Sequence, residues 1–487
     1  MSPSTNASRL ALALAATGLL GACAAVGPDF AAPQPPKTAG YAMAGDAAPA
    51  QARLDGAAAA GPWWTALGSP ALDRTVRQAL SDSPTLAEAD ATLGQAQAAL
   101  AAARGGLAPQ VDLTAGANRE RANLQAFGFS GGFGGVALSN PTFSLYSLGG
   151  SVGYDLDLFG GRRRRVESAA AQAEAQARRA DAAYLTLTGN VALQAATIAA
   201  LRAQIAAVER MVAADEQNLE LARRANALGG AASTAKVAAQ TQLESDRTQL
   251  PGLRSQLGAA RHALALLVGR APADWTAPEF DLAEFDLDAA VPVSLPSQLV
   301  RKRPDILAAE AELHAATADV GAATADLYPD IKLTASLTQG AISPGDIFSY
   351  DSSAWNLGAG LTAPIFHGGE LQARRRQAVE AARAADARYR QTVLTAFVQV
   401  GDALQALADD GEAIAAQTRA EAQAAESLRL AKIAFDKGGG TMIDVLDAQR
   451  QLNQAQAARM RLQGQRLADL VRLFAASGAD WRGAGKG

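Results

Sequence analysis

The sequence predicts a mixed α and β membrane protein with a twofold internal repeat, four β-strands per chain and long coiled-coil helices. Three observations predict it. Two ungapped blocks recur along the chain. Each copy holds two segments of alternating polarity with the length of transmembrane barrel strands, and each also holds an alanine-rich helical run far longer than a globular helix.

The chain has 487 residues, enough for two to four ordinary domains. Charged residues make up 19%, with 44 basic against 48 acidic, so no strong field draws nucleic acid or another polyanion. Aromatics are only 5%. Abundant alanine suits long helices packed through small residues.

At the N-terminus, Arg9 precedes an apolar run over 10–22, too short to span a membrane but of the length of a secretory signal. Residues 1–22 read as a signal peptide. Leu20-Gly21-Ala22-Cys23 resembles a bacterial lipobox, in which the cysteine after the cut becomes lipidated. Cys23 is the only cysteine, so a disulfide within the chain is impossible. Ala24, not Asp, follows it, which favours the outer membrane by the sorting rule for such lipoproteins. No later run reaches about 18 apolar residues, so any span is expected to be made of strands. Residues 23–75 read as a lipidated segment and linker.

Repeat 1 covers 76–270 and repeat 2 covers 296–479, with an inter-repeat linker over 271–295 and a tail over 480–487. Pairing Pro84–Ala115 with Pro304–Ala335 gives 13 identities in 32 positions, including Leu93/Leu313, Pro109/Pro329 and Leu113/Leu333. A second block pairs Leu219–Gly269 with Leu428–Gly478 at an offset of 209. Each copy opens with a helix, over about 84–106 or 304–326, stopped by Pro109 or Pro329.

Period-two alternation follows. Strands are expected over 110–118 and 143–159 in copy 1, and over 331–339 and 354–366 in copy 2. Val111, Leu113, Ala115 and Ala117 take one face, with Ile331, Leu333, Ala335 and Leu337 as their counterparts. Trp355, Leu357, Ala359 and Leu361 alternate with Asn356, Gly358, Gly360 and Thr362. Asp155 and Asp157 oppose Tyr154 and Leu156, which assigns them to the lumen.

Long helices then run over 162–227 and 370–435, each on the order of 100 Å at about 1.5 Å per residue. Tyr184, Leu187, Val191, Ile198, Leu201, Ile205, Val208 and Val212 keep coiled-coil spacing, interrupted at Gln194. Val393, Phe397, Val400, Leu404 and Leu407 do likewise. Glycine-rich turns reverse the chain into helices over 233–269 and 442–478. Pro251 is expected to kink the first, whereas Met460 at the partner position is not.

Four strands cannot close a barrel, and an open edge in lipid leaves backbone groups unsatisfied. At least two chains must therefore pool strands. "GFSGG" (128–132) matches the nucleophile-elbow pattern, but it falls between two barrel strands, so Ser130 reads as part of a loop. His262, His314 and His367 lie in different elements without ligand spacing, so no metal site is expected. No assembled catalytic site is present, and no enzyme activity is expected.

Several motifs resemble the outer-membrane efflux ducts (TolC-like), in particular their lipoprotein branch often annotated NodT. They are the lipobox with "VGPDFAAP" (26–33), "RKRPDILAAEAEL" (301–313), "LYPDIKLTA" (327–335) and "GGGTMIDVLDAQRQL" (438–452), beside the twofold repeat. The resemblance implies a homotrimer with a twelve-stranded transmembrane barrel in the outer membrane and an α-helical tunnel across the periplasm. It implies a periplasmic adaptor (membrane fusion) protein and an inner-membrane pump of the RND class as partners. The implied function is the exit duct of a tripartite efflux system, carrying drugs or toxic compounds outward. A type I secretion duct and a trimeric surface adhesin are the alternatives. No cofactor is implied beyond the covalent lipid on Cys23.

Under that resemblance the adaptor docks at the two turns, on Leu228, Gly229, Gly230 and Ser233 and on Gly438, Gly439, Thr441 and Met442. Family members commonly narrow the tunnel with acidic rings. Here Gly438-Gly439-Gly440 stands where such an acid is expected, so Asp436, Asp444 and Asp447 are the gate candidates, with capping or solvation of helix ends as the plain alternative. Arg162, Arg163, Arg164 and Arg165 occupy a helix N-terminus, where the macrodipole disfavours cations. They read as a basic cluster at the membrane interface meeting outer-membrane lipid phosphates, the alternatives being a solvated run or pairing with a neighbouring chain's acids.

Overall fold

The computed structural model describes residues 25–38, 40–45, 62–123, 140–229, 232–291 and 293–478. The signal peptide, Cys23, Ser130, Gly230 and the tail over 480–487 lie outside them. The elements are α1 (Pro70–Asp82), α2 (Pro84–Gly105), β1 (Gln110–Arg121), β2 (Thr142–Leu156), α3 (Gly161–Ala227), α4 (Ser233–Arg247) and α5 (Gln249–Leu267), followed by α6 (Pro304–Ala325), β3 (Asp330–Ala341), β4 (Ser353–Thr362), α7 (Glu370–Asp436) and α8 (Met442–Ala476). The chain divides into two compact units, one of 1–32, 94–174 and 311–387, the other of 33–93, 175–310 and 388–487.

The first unit holds a four-stranded antiparallel sheet in the order β1-β2-β3-β4. Its register aligns the two copies. Val111 lies opposite Val152, Val152 opposite Ala335, and Ala335 opposite Leu357, and the row one step along is Leu113, Gly150, Leu337 and Trp355. The apolar positions of all four strands therefore share one face. On the other face Asp112, Ser151, Ser336 and Asn356 form one row and Asp155, Lys332 and Gly360 another. Val111, Leu113, Leu337, Trp355, Leu357 and Leu361 are exposed, a continuous apolar surface of the kind a barrel turns to lipid.

Two strands end earlier than the alternation suggests. β2 stops at Leu156 instead of 159, because Leu158 N–H bends back to the Leu156 carbonyl at 2.8 Å. β4 stops at Thr362 instead of 366, with Pro364 unable to donate a ladder hydrogen bond.

In the second unit, the core gathers Val191, Ile198, Leu264, Ile306, Val400, Leu467 and Phe474. The coiled-coil stripes of α3 and α7 enter it through Leu187, Leu201, Leu404 and Leu407. The interruption at Gln194 is satisfied by its amide donating to the Ala260 carbonyl at 3.0 Å. One stretch of α3 does have the length and apolar composition to cross a membrane, contrary to the expectation of none. It qualifies by length and composition alone, and the same helix contributes Leu187, Val191 and Ile198 to the core. A smaller cluster joins both hairpins through Leu219, Ala239 and Leu243 with Leu428, Met442 and Val445.

Parts of the segments expected to be linkers are core. Trp63 and Trp64 are 1% and 0% exposed; Trp63 stacks on Phe474 at 5.4 Å. Between the repeats, Phe280, Phe285 and Val293 are buried in the same cluster.

The helix expected over 233–269 is two helices, broken at Thr248. Pro251 has no N–H for the Arg247 carbonyl four residues earlier, and its ring crowds that carbonyl, so the first helix ends there. Its counterpart α8 runs unbroken through Met460.

Candidate functional site

Three places hold the candidate residues: the start of α3, the two helical turns, and the exposed apolar face of the sheet. All four arginines of 162–165 engage acids of their own chain. Arg162 pairs with Asp155 and donates to the Gly106 carbonyl at 2.6 Å. Arg163 pairs with Asp157 at 3.2 Å, and Arg165 with Asp326 at 2.7 Å. Arg164 is buried between Asp29 at 2.6 Å and Glu167 at 2.8 Å.

The macrodipole penalty is met locally. The Asp157 carboxylate accepts the N–H groups of Arg162 and Arg163, each at 2.9 Å, and so places negative charge at the N-terminus of α3. Asp157 lies beyond the end of β2 and serves this terminus, whereas Asp155 keeps its place on the polar face.

The "VGPDF" stretch straps this junction. Val26 N–H donates to the Phe159 carbonyl at 3.0 Å, and the Val26 carbonyl accepts from Arg164 Nε at 3.3 Å. Phe30 stacks on His314 at 4.4 Å, and His314 Nε2 lies 3.0 Å from Glu167 Oε1. Burial alone would raise the Glu167 carboxyl, but hydrogen bonds from Arg164 and His314 hold it below the ordinary range. Gly27 makes the crossing possible, since a Cβ there would stand 2.4 Å from the Gly321 Cα. Sequence reasoning recognised this motif without its partners, which come from residues more than 100 positions away.

At the turns, Gly229 and Gly438 share φ of +75°, a left-handed helix end at repeat-equivalent positions. Leu228 is 87% exposed, and Ser233 Oγ accepts from the Asn226 amide at 3.4 Å. Gly439 is open to solvent, with only the Ala434 carbonyl 3.8 Å from where a Cβ would sit. Met442, assigned to the docking surface by sequence, is instead 2% exposed and belongs to the cluster joining the hairpins.

Asp444 forms a capping box with Thr441. Its carboxylate accepts the Thr441 N–H at 2.8 Å and hydroxyl at 2.7 Å, which lowers its pKa, while Thr441 Oγ1 accepts the Asp444 N–H at 3.3 Å. Asp447 pairs with Arg450 and accepts from Gln451 at 2.9 Å. Asp436 is the last residue of α7. Among the described residues no cluster of His, Cys, Asp or Glu has the arrangement to hold a metal ion.

The family model described as "Outer membrane efflux protein" matches this chain twice, over residues 75–270 and 295–479. Those spans follow the two copies. The pyoverdine export outer membrane protein OpmQ of Pseudomonas aeruginosa is 33% identical over 422 residues, covering 86% of this chain and 87% of its own. The antibiotic efflux pump outer membrane protein ArpC of Pseudomonas putida is 33% identical over 485 residues, covering 96% and 95%. The solved outer-membrane channel OprN superposes with a TM-score of 0.84 at 27% identity, covering 94% of this chain and 99% of that one.

Proposed function

The chain belongs to the outer membrane efflux protein family and is an outer-membrane efflux channel; on that premise we propose that it works as the exit duct of a tripartite efflux system. One observation carries the reading. The apolar positions of four strands fall in register on one face, while β1 and β4 each pair on one side only among the described residues. Such a sheet is completed by strands from further chains, and three chains would supply twelve. The apolar face meets lipid and the polar face lines the bore.

The remaining roles follow from this reading. Cys23 carries the lipid, three residues before the strap. A periplasmic adaptor docks on Leu228, Gly229, Gly230 and Ser233 and on Gly438, Gly439 and Thr441, and connects the duct to an inner-membrane pump of the RND class. OpmQ is named for pyoverdine export and ArpC for antibiotic efflux, so small organic molecules are the proposed cargo. The duct moves them without a catalytic step. Purified protein inserted in a planar bilayer should give discrete channel events, and silence after verified insertion would overturn the duct.

A further inference from the structure

Each helical hairpin of the second unit holds two buried carboxyl groups between its long helix and the return. In the first hairpin they are Asp215 of α3 and Asp246 of α4, 3% and 5% exposed. The two helices bring them together, since Leu219 packs with Leu243 and the neighbouring Glu216 and Arg247 pair at 2.7 Å. Asp246 accepts amide hydrogens from Gln242 at 2.8 Å and Gln249 at 2.9 Å, whereas Asp215 Oδ2 is buried with no hydrogen-bond partner among the described residues.

The surrounding charges do not neutralise the pair. Glu216, beside Asp215, is turned to Arg247 at 2.7 Å. From α8, Arg450, Asn453 and Arg461 line a cavity of about 740 Å³ that Asp246 also lines, with Arg450 held by Asp447. From α5 come the neutral Gln249 and Gln256. The second hairpin holds a similar pair with more positive charge beside it. Burial and then Asp469 of α8 raise Asp410 of α7 to about 6, Arg466 opposes that rise, Asp469 pairs with Arg472 at 2.5 Å, and Asp409 is the other nearby acid.

Two buried carboxylates in contact repel unless one is protonated and donates its O–H to the other. We propose that Asp215 and Asp246 hold one proton between them, and that its release loosens α4 from α3, making the first hairpin a proton-sensitive element of the molecule. Burial, and then the neighbouring Asp246, raise Asp215 to about 7. A raised carboxyl stabilises the fold fully below the ordinary carboxylate range, and that contribution is lost as pH rises through about 7.

The local architecture allows the response to stay local. The pair sits one residue before α4 ends, next to the break at Thr248, and a 15-residue helix holds little structure without its partner. The inference rests on the duct reading only in one respect: the loosened hairpin ends at the proposed docking turn.

Hydrogen exchange of the full-length protein in detergent tests it, corrected for the intrinsic dependence of exchange on pH. Protection of residues 233–247 should fall roughly tenfold between about pH 5 and about pH 8.5, one proton's linkage discounted for solvent. In Asp215→Asn and Asp246→Asn protection should stay flat, whereas Asp410→Asn should leave the decline intact. Flat protection in the unmodified protein, or an undiminished decline in both variants, would overturn the proposal. Infrared titration decides independently of exchange: a protonated carboxyl band should disappear near pH 7 in the unmodified protein and in Asp410→Asn but be missing from Asp215→Asn, and its absence from the unmodified protein overturns the shared proton. Neither measurement depends on conductance, so failure here and failure of the duct are distinguishable.

Discussion

Arg164 shows how one side chain ties the strap to the long helix. Its guanidinium is buried, while the Asp29 carboxylate that it meets is 91% exposed. Arg164→Leu removes the buried guanidinium and leaves Asp29 in water, so its cost is that of the charged hydrogen bonds lost, about 1.5–3 kcal/mol. Asp29→Asn touches a solvated group and should cost about 1 kcal/mol or less. Thermal unfolding, together with protease sensitivity of residues 25–32, measures both. The four arginines were legible as a run but not as pairs, because apart from Glu167, one helical turn after Arg164, their acids stand at 29, 155, 157 and 326, outside the periodicity of the helix. The cap made by Asp444 stood in the sequence only as the alternative to a gate, although Thr441 and an acid three residues later form a capping signature at a helix start. Thr441→Ala should therefore cost about 0.5–2 kcal/mol and fray the first turn of α8, as hydrogen exchange over residues 442–446 would report.

At the scale of elements, the strands were legible in their facing because period-two alternation is a local signal. Their ends depended on particular stops, the bend at Leu158 and the ring of Pro364. Leu357 belongs to the apolar face and Asn356 to the opposite one, both in the middle of β4. Leu357→Arg should cost about 2–4 kcal/mol, and Asn356→Arg should cost less. Equal assembly defects in membrane fractions would reverse the assigned facing. Trp63, Trp64 and Phe280 escaped notice as core for the opposite reason: they lie in aperiodic stretches, and only the packed helices make them interior. At the turns, Gly229 has positive φ and would be strained by any side chain, so Gly439 is the cleaner probe. Gly439→Trp should abolish adaptor-dependent efflux in cells while the membrane content of the protein stays normal. Surviving efflux would move docking elsewhere.

On the scale of the whole molecule, the duplication was the most legible feature, because Pro109/Pro329 and Leu113/Leu333 repeat at one offset regardless of alanine content. What it builds was less so. The order β1-β2-β3-β4 places the hairpin of one copy directly beside that of the other, so the β2–β3 contact is a seam between copies inside a single chain. By quasi-equivalence, the seam from β4 to β1 of the next chain should repeat that geometry. Val152 pairs with Ala335 across the internal seam. Their counterparts by register are Leu361 and Ala115, which should face each other between chains. With Cys23 the only native thiol, a Leu361→Cys, Ala115→Cys protein treated with a short bifunctional thiol reagent should run as covalent oligomers, whereas Leu361→Cys with Arg119→Cys should not. A closed ring of such chains would carry pseudo-sixfold order, with alternate joints covalently continuous and alternate joints open to exchange.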